Sequence, residues 1–235
     1  MNKLYLLFLV FFFSFQVFAG SGKAVFIKGE VLIKGSNNKF IRLKKNQDVN
    51  LGDMIRTKTK SIAVLALKSG SKLKLNENSA ITLRTEKTAK KPESLFLNKG
   101  SVFISVLKTH LTKKTKKTKK TKIKLVLKTR SAAMGVRGTK FFASFGKQAN
   151  KSKRKDLWMC VNSGLVEVRT THTKKSILVK AGEGVHVKEG TEVSEPKPLM
   201  WTKKLNWGFD STKGDLTNKV EIEEAYTDLL DKDYD

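Results

Sequence analysis

The sequence predicts an all-β protein, a flattened roll or solenoid-like sandwich of short strands with a C-terminal helical appendage. Three observations carry that expectation. Apolar residues alternate at period two through the body of the chain: Val25/Ile27, Val31/Ile33, Ala63/Leu65/Leu67, Leu73/Leu75, Val102/Ile104/Val106, Ile123/Leu125/Leu127 and Val185/Val187. Alternation of that kind lines one face of a strand. The runs are short, and Gly29, Gly35, Gly52, Gly70, Gly100, Gly164, Gly182 and Gly184 punctuate them as turns between strands would. After Lys188 the pattern changes, with Pro196 and Pro198 breaking the strand series and helical spacing returning over residues 215–230.

Taken from the N-terminus, Met1-Asn2-Lys3 gives a positive start to an apolar run from Leu4 to Phe18, and Val17-Phe18-Ala19 precedes Gly20. This is the pattern of a secretory signal peptide over residues 1–19, cleaved near Ala19/Gly20. The run of about 15 residues is shorter than the roughly 20 that span a bilayer as a helix, and Ser14 and Gln16 dilute its end. The alternative is an uncleaved N-terminal anchor. Cleavage would make the protein exported, periplasmic or secreted, with no transmembrane segment in the mature chain.

Residues 20–190 are expected to form one β domain. Lys72-Leu73-Lys74-Leu75 and Lys122-Ile123-Lys124-Leu125 show its pattern most plainly, with lysines on a wet face and aliphatics facing a core. A weak echo recurs at Gly29-Glu30-Val31, Gly100-Ser101-Val102 and Gly164-Leu165-Val166. It reads as reuse of one turn-to-strand geometry in which glycine takes a positive φ. Residues 191–235 then form a Pro/Trp linker and an acidic helix, which Asp215 can start and in which Leu216, Val220, Ala225 and Leu229 share a face. From Trp201 onward there are five lysines against nine acids, so this tail either lies on the basic body, where Trp201, Trp207 and Phe209 can find burial, or is a solvated acidic terminus.

Composition narrows the function classes. The 235 residues carry 48 Lys+Arg against 21 Asp+Glu, a net charge of +27, with three His and one Cys. A lone Cys160 can neither close an intramolecular disulfide nor supply a cysteine-rich zinc site, and three separated histidines give no metal spacing. No metal or cofactor is expected.

The punctuated strands follow a recognisable order: Leu51-Gly52-Asp53-Met54-Ile55-Arg56-Thr57, the run from Ala63 through Ser69-Gly70-Ser71 to Leu75, Gly100-Ser101-Val102, the run Thr129 to Phe141, then Val161-Asn162-Ser163-Gly164-Leu165-Val166 and Ala181-Gly182-Glu183-Gly184-Val185. The sequence resembles the FecR-domain family over roughly residues 22–188. Its most specific element is Val136-Arg137-Gly138-Thr139-Lys140-Phe141, which matches the family's V-R-G-T-x-F; Gly52, Asp53 and Gly70 match further motif positions. The resemblance implies an extracytoplasmic β module. In the regulators that name the family, that module receives a signal from an outer-membrane receptor and passes it to a cytoplasmic segment controlling a sigma factor. Only Met1-Asn2-Lys3 precedes the apolar run here, so the expectation is a stand-alone exported version without the anti-sigma segment. The motif glycines suit turns by themselves. Arg137 either clamps turn carbonyls or a carboxylate such as Asp53, or contacts an anionic ligand.

A Lys/Thr-rich loop, residues 108–122, is expected to form a long hairpin tip between strands at 101–107 and 122–129. Residues 108–128 hold ten lysines and no acid. Lys113, Lys114, Lys116, Lys117, Lys119, Lys120 and Lys122 are the candidate polyanion-binding residues, attracting phosphate-rich polymers in a salt-sensitive way. Sequence-specific nucleic-acid recognition is disfavoured, since 41 of the basic residues are Lys and seven Arg, and the loop lacks arginines and aromatics. The expected partners are an envelope protein or an anionic envelope polymer.

Catalysis is not expected. The one nucleophilic pairing to weigh, Cys160 with His172 or His186, falls on Trp158-Met159-Cys160-Val161, a strand pattern in which a cysteine is ordinarily a buried inert thiol. His110 borders the basic loop. No phosphate-binding glycine loop or G-x-S-x-G elbow is present. An exported, non-catalytic binding, scaffold or signalling module at the envelope is the leading reading; an envelope polyanion-binding protein acting through its lysine loop and an unrecognised hydrolase are the alternatives.

Overall fold

The structure, a computed structural model, describes residues 20–85, 88, 91–107, 123–146, 156–198 and 200–218. The expected signal peptide, the candidate lysines 113–122 and most of the expected helix lie outside these residues.

The described chain is built from strands. In order they are β1 (Gly22–Lys28), β2 (Val31–Lys34), β3 (Phe40–Arg42), β4 (Asp48–Val49), β5 (Met54–Thr57), β6 (Ile62–Leu67), β7 (Lys72–Leu75), β8 (Ala80–Thr85) and β9 (Glu93–Ser105). Then follow β10 (Leu125–Lys128), β11 (Ala132–Val136), β12 (Lys140–Phe145), β13 (Leu157–Ser163), β14 (Leu165–Thr170), β15 (Ser176–Lys180), β16 (Glu183–Lys188), β17 (Glu192–Val193) and β18 (Lys197–Pro198). One layer, here the front, runs β4–β1–β6–β7–β9–β12–β13–β16, with β17 and β18 on the far edge of β16. The back layer runs β3–β2–β5–β8–β9–β10–β11–β14–β15. A single apolar core drawn from both layers fills the space between them, with Leu65, Leu73, Ile104 and Phe141 from the front and Ile55, Leu95, Leu127 and Val168 from the back. The described residues are all-β, as expected, in an open mixed sheet whose alternating aliphatics bury their apolar faces against one another.

β9 is the member common to both layers. Its first half pairs with β8 and β10, and its second half with β7 and β12. The change of layer falls at Gly100, φ +79°. The echo at Gly29, Gly100 and Gly164 has the same cause throughout, since each marks a passage between layers at positive φ (+77°, +79° and +92°). At each corner a hydroxyl from a neighbouring crossing bonds the residue after the glycine. Ser61 Oγ accepts from Glu30 N (2.9 Å), Ser79 Oγ accepts from Ser101 N (2.8 Å), and Thr139 Oγ1 donates to Leu165 O (3.0 Å). A side chain on any of these glycines would enter the space that hydroxyl occupies.

Four sequence expectations need correction. In β1 a bulge between Ala24 and Phe26 shifts the register, so Ala24 is the fully buried residue and the Val25/Ile27 alternation fails there. Lys74, expected on the wet face, has no exposed surface. The lysine insertion is not a hairpin tip, because β9 and β10 are parallel, Glu93 opposite Leu125. A parallel pair needs a crossover of a dozen or more residues rather than a turn, and residues 106–124 are that crossover. The expected helix does not begin at Asp215: residues 215–218 are non-helical, Asp215 Oδ1 accepting from Thr217 N and Oγ1 (3.1 and 2.9 Å) in a local turn that competes with helix formation. The only helical turns among the described residues are two short 3-10 turns, Met200–Lys203 and Ser211–Lys213.

Candidate functional site

The outward side chains of the front layer form rows across β7, β9, β12 and β13, and the register fixes each row. Lys72, Ser105 and Lys140 make one; Lys74, Phe103, Phe142 and Cys160 make the next; Ser101, Ser144, Trp158 and His186 a third. The middle row is apolar on a face that would otherwise meet water. Residues 200–218 cross it as a strap, placing Leu205, Trp207 and Phe209 against Phe103, Phe142 and Cys160. Phe103 lies 4.8 Å from Phe142 and edge-on to Trp207 at 5.2 Å between ring centroids. Trp207 Nε1 donates to Thr202 O (2.9 Å), so the half-buried indole has its donor satisfied. This is where the strongly apolar strands β12 and β13 find cover on both faces.

Lys74 is the strap's polar anchor. Its Nζ donates to Asn206 O (2.5 Å) and Leu216 O (3.3 Å) and sits 4.2 Å from the Phe103 ring centroid. Two carbonyls and a ring face make a charged amine tolerable there. Burial nevertheless lowers its pKa from 10.5 to about 8, against an opposing pull from Asp215.

Beside the strap lies a cleft of about 440 Å³. Lys72, Ser105 and Lys140 line it from the sheet, Trp207, Phe209 and Lys213 from the strap, and Leu107, the last described residue before the lysine insertion, stands at its mouth. Lys72 and Lys140 flank Ser105 from two strands apart, a separation of roughly 10 Å. None of Lys72, Lys140 and Lys213 has a carboxylate within ion-pair distance among the described residues. Two acids line the same cleft, but their oxygens serve the strap's own turns. Asp210 Oδ1 accepts from Thr212 Oγ1 and N (2.7 and 3.0 Å), as Asp215 does from Thr217, and these bonds hold both carboxyls below the usual carboxylate range. The result is an aromatic-walled cleft lined by three lysines and two aspartates, net positive, in which Asp210 also feels Lys213 and Lys72 while Lys140 has no acid paired with it among the described residues.

The sequence-chosen residues lie elsewhere. Gly52 (φ +87°) and Asp53 close the β4–β5 turn, where Asp53 Oδ2 accepts from Asn50 N (2.7 Å). Gly70 (φ +83°) turns β6 into β7 and reaches the cleft edge against Leu107. Val136 ends β11 in the core, Gly138 (φ +61°) and Thr139 carry the chain to the front layer, and Phe141 is fully buried. These positions build corners. Arg137 is half-buried, and the described residues give its guanidinium no hydrogen-bond or ion-pair partner, so the expected clamp on Asp53 is not formed.

Cys160 lies at the end of the apolar row with no exposed surface, and burial pushes its thiol up to about 12. His186 is engaged elsewhere, with Nε2 3.0 Å from Asp156 Oδ2 and its ring stacked 3.9 Å from Trp158; His172 is exposed, its N–H donating to Gly190 O. A thiol in that setting is a poor nucleophile. A thiol reagent such as DTNB should leave Cys160 unmodified in the native protein over minutes at pH 8 and react stoichiometrically in 6 M guanidinium; fast native reaction would show the strap to be open in solution.

Sequence reasoning missed the cleft and Lys74. The signal for both was the pair Trp207 and Phe209, which packs on a strand set whose outward positions hold Phe103, Phe142 and Cys160.

Residues 53–153 match the family model described as FecR protein. The chain thus carries a FecR domain, an all-β class of module, over the stretch that includes Asp53, Gly70 and the Val136–Phe141 motif. Two crystal structures of a candidate anti-sigma factor from Parabacteroides distasonis are similar, each 18% identical, with TM-scores of 0.48 and 0.46. They cover 65% and 62% of this chain, which in turn spans 64% and 59% of theirs, less than two thirds of their length. No curated protein matches the chain.

Proposed function

We propose that the chain is an exported, non-catalytic binding module of the FecR type that holds an anionic partner at the cell envelope, with the cation-rimmed face of the front layer as its contact surface. The observation that carries this reading is the set Lys72, Lys140 and Lys213, three ammonium groups around an aromatic-walled cleft whose two acids, Asp210 and Asp215, leave the lining net positive. Such a surface attracts and orients a negatively charged partner and excludes a cationic one. The leader pattern of residues 1–19 supports export, and the corner-building role of the FecR motif residues supports scaffold over catalyst. The partner is an envelope protein carrying an acidic patch.

A second reading has its own observation. The crossover at residues 108–122 is long for a topological reason, but topology does not require lysine there, and the candidates Lys113, Lys114, Lys116, Lys117, Lys119, Lys120 and Lys122 would suit an anionic envelope polymer. One experiment separates the two. Full-length protein, a variant lacking residues 112–122, and Lys72→Glu/Lys140→Glu are each incubated with washed cell envelopes at 50 and 300 mM salt. Binding lost at least tenfold in the double variant and kept in the deletion supports the cleft face. The reverse pattern assigns binding to the lysine tract. Binding unchanged in both sinks the proposal.

A further inference from the structure

The protein contains its own candidate occupant for the cleft. Residues 219–235 hold seven acidic side chains and two lysines, with Ile222, Tyr226, Leu229 and Leu230 among them. They follow directly from Asn218, whose Oδ1 accepts from Asn206 N at 2.9 Å, and Asn206 lines the cleft. The tail therefore starts at the cleft wall. An extended chain advances about 3.3 Å per residue, so three or four residues bridge the roughly 10 Å between Lys72 and Lys140. Glu221, Glu223 and Glu224 are spaced to do so. The apolar requirement is met as well, because Leu107 is 60% exposed at the mouth and Trp207 and Phe209 are half-buried. Asp210 and Asp215 cap the strap's own turns, and Asp210 also feels Lys213 and Lys72, so Lys140 is the cation left without an acid beside it among the described residues.

We propose that residues 221–235 dock in cis into the cleft between the strap and the Lys72–Ser105–Lys140 row, neutralising it and excluding other anions. The contact would bring an acidic segment onto a lining that stays net positive after Asp210 and Asp215 are counted, and it makes the cleft a self-masked site. The docked tail and the acidic partner of the envelope-binding reading compete for the same lysines, so a partner must displace the tail; the contact itself needs no outside partner and is tested without one.

The test uses the full chain, prepared as an equal mixture of ¹⁴N and ¹⁵N protein and treated with a zero-length carbodiimide that joins only amines and carboxylates in contact. The expected products link Lys72, Lys140 or Lys213 to Glu221, Glu223, Glu224 or Asp228 within one isotope class, with yields falling about fivefold in 1 M salt as screening loosens the pairs. A second readout does not depend on the linked amines. A Glu-specific protease should cut the tail at least about threefold faster in Lys72→Gln/Lys140→Gln/Lys213→Gln than in the parent, because a docked segment is protected and a released one is not. Links that run to the lysines of residues 108–122, links equally frequent between isotope classes, or equal cleavage rates in the two proteins would overturn the proposal; the second outcome would mean docking between copies.

Discussion

Gly100→Ala should lower the unfolding free energy by about 3 kcal/mol or more, with an unchanged denaturant m-value. Two costs add at this corner. A non-glycine residue at φ +79° carries strain of about 1–2 kcal/mol. A Cβ there would also lie 2.5 Å from Ser79 Cα, and forcing such overlap in a packed interior costs about 1–3 kcal/mol more. Ser79 cannot step aside. It is fully buried, its Oγ bonds both Ser101 N and Ser101 O, and its carbonyl accepts from Thr57 N. The damage would reach both layers, since β9 is paired on both sides in each. Gly182→Ala is the control, with a similar φ of +87° but nothing within 4 Å of the added carbon, so it should lose only about 1 kcal/mol. Urea unfolding of the two variants decides the matter, and equal losses would remove close packing as the reason for glycine at position 100.

The same corner shows how much of this fold was legible in the sequence. Period-two alternation locates the strands because burying one face of a sheet imposes it, and β14, with Val166, Val168 and Thr170 buried between exposed neighbours, is a clean instance. The glycine echo was legible too, as each occurrence needs the same positive φ. Which strands pair was not legible, since alternation carries no partner information. The lysine insertion thus reads as a hairpin tip until the parallel register of Glu93 with Leu125 shows it to be a crossover. The cleft was hidden for a related reason. Lys72 and Lys74 occupy equivalent places in the alternation Lys72-Leu73-Lys74-Leu75, and only the strap, more than a hundred residues away, leaves one in water and buries the other.

That strap also alters how the FecR motif is understood in this chain. Gly52, Asp53, Gly138 and Thr139 fix turns and corners, whereas the groups able to meet a partner, Lys72, Lys140, Lys213 and Trp207, lie at positions defined by strand register and by residues 200–218. The matched stretch supplies the scaffold, and the strap, outside it, supplies half of the cleft. The FecR match in this chain therefore constrains architecture more tightly than ligand.

Lys74→Met should abolish a gain in stability that the parent protein shows between pH 7.5 and 10. In the unfolded chain the Lys74 amine releases its proton near 10.5; beneath the strap, desolvation brings that down to about 8. Between these values the unfolded chain binds a proton that the folded chain has released, so raising the pH favours the fold. Below pH 8 both states are charged and the full cost of burying an ammonium is present; above 10.5 it has been relieved. The relief should be roughly 3 kcal/mol, at about 1.4 kcal/mol for each pH unit between the two values. Other lysines lose charge over the same range, and the reduced self-repulsion stabilises parent and variant alike, which is why the comparison must be a difference between the two. At pH 7 methionine removes a costly buried charge but leaves Asn206 O and Leu216 O without their donor, so the proteins should agree within about 1 kcal/mol. Above pH 9 the neutral amine still donates to both carbonyls and the parent should be the more stable. Parallel stability curves across the range would place the titration of Lys74 outside the window, and with it the closed strap that buries the amine.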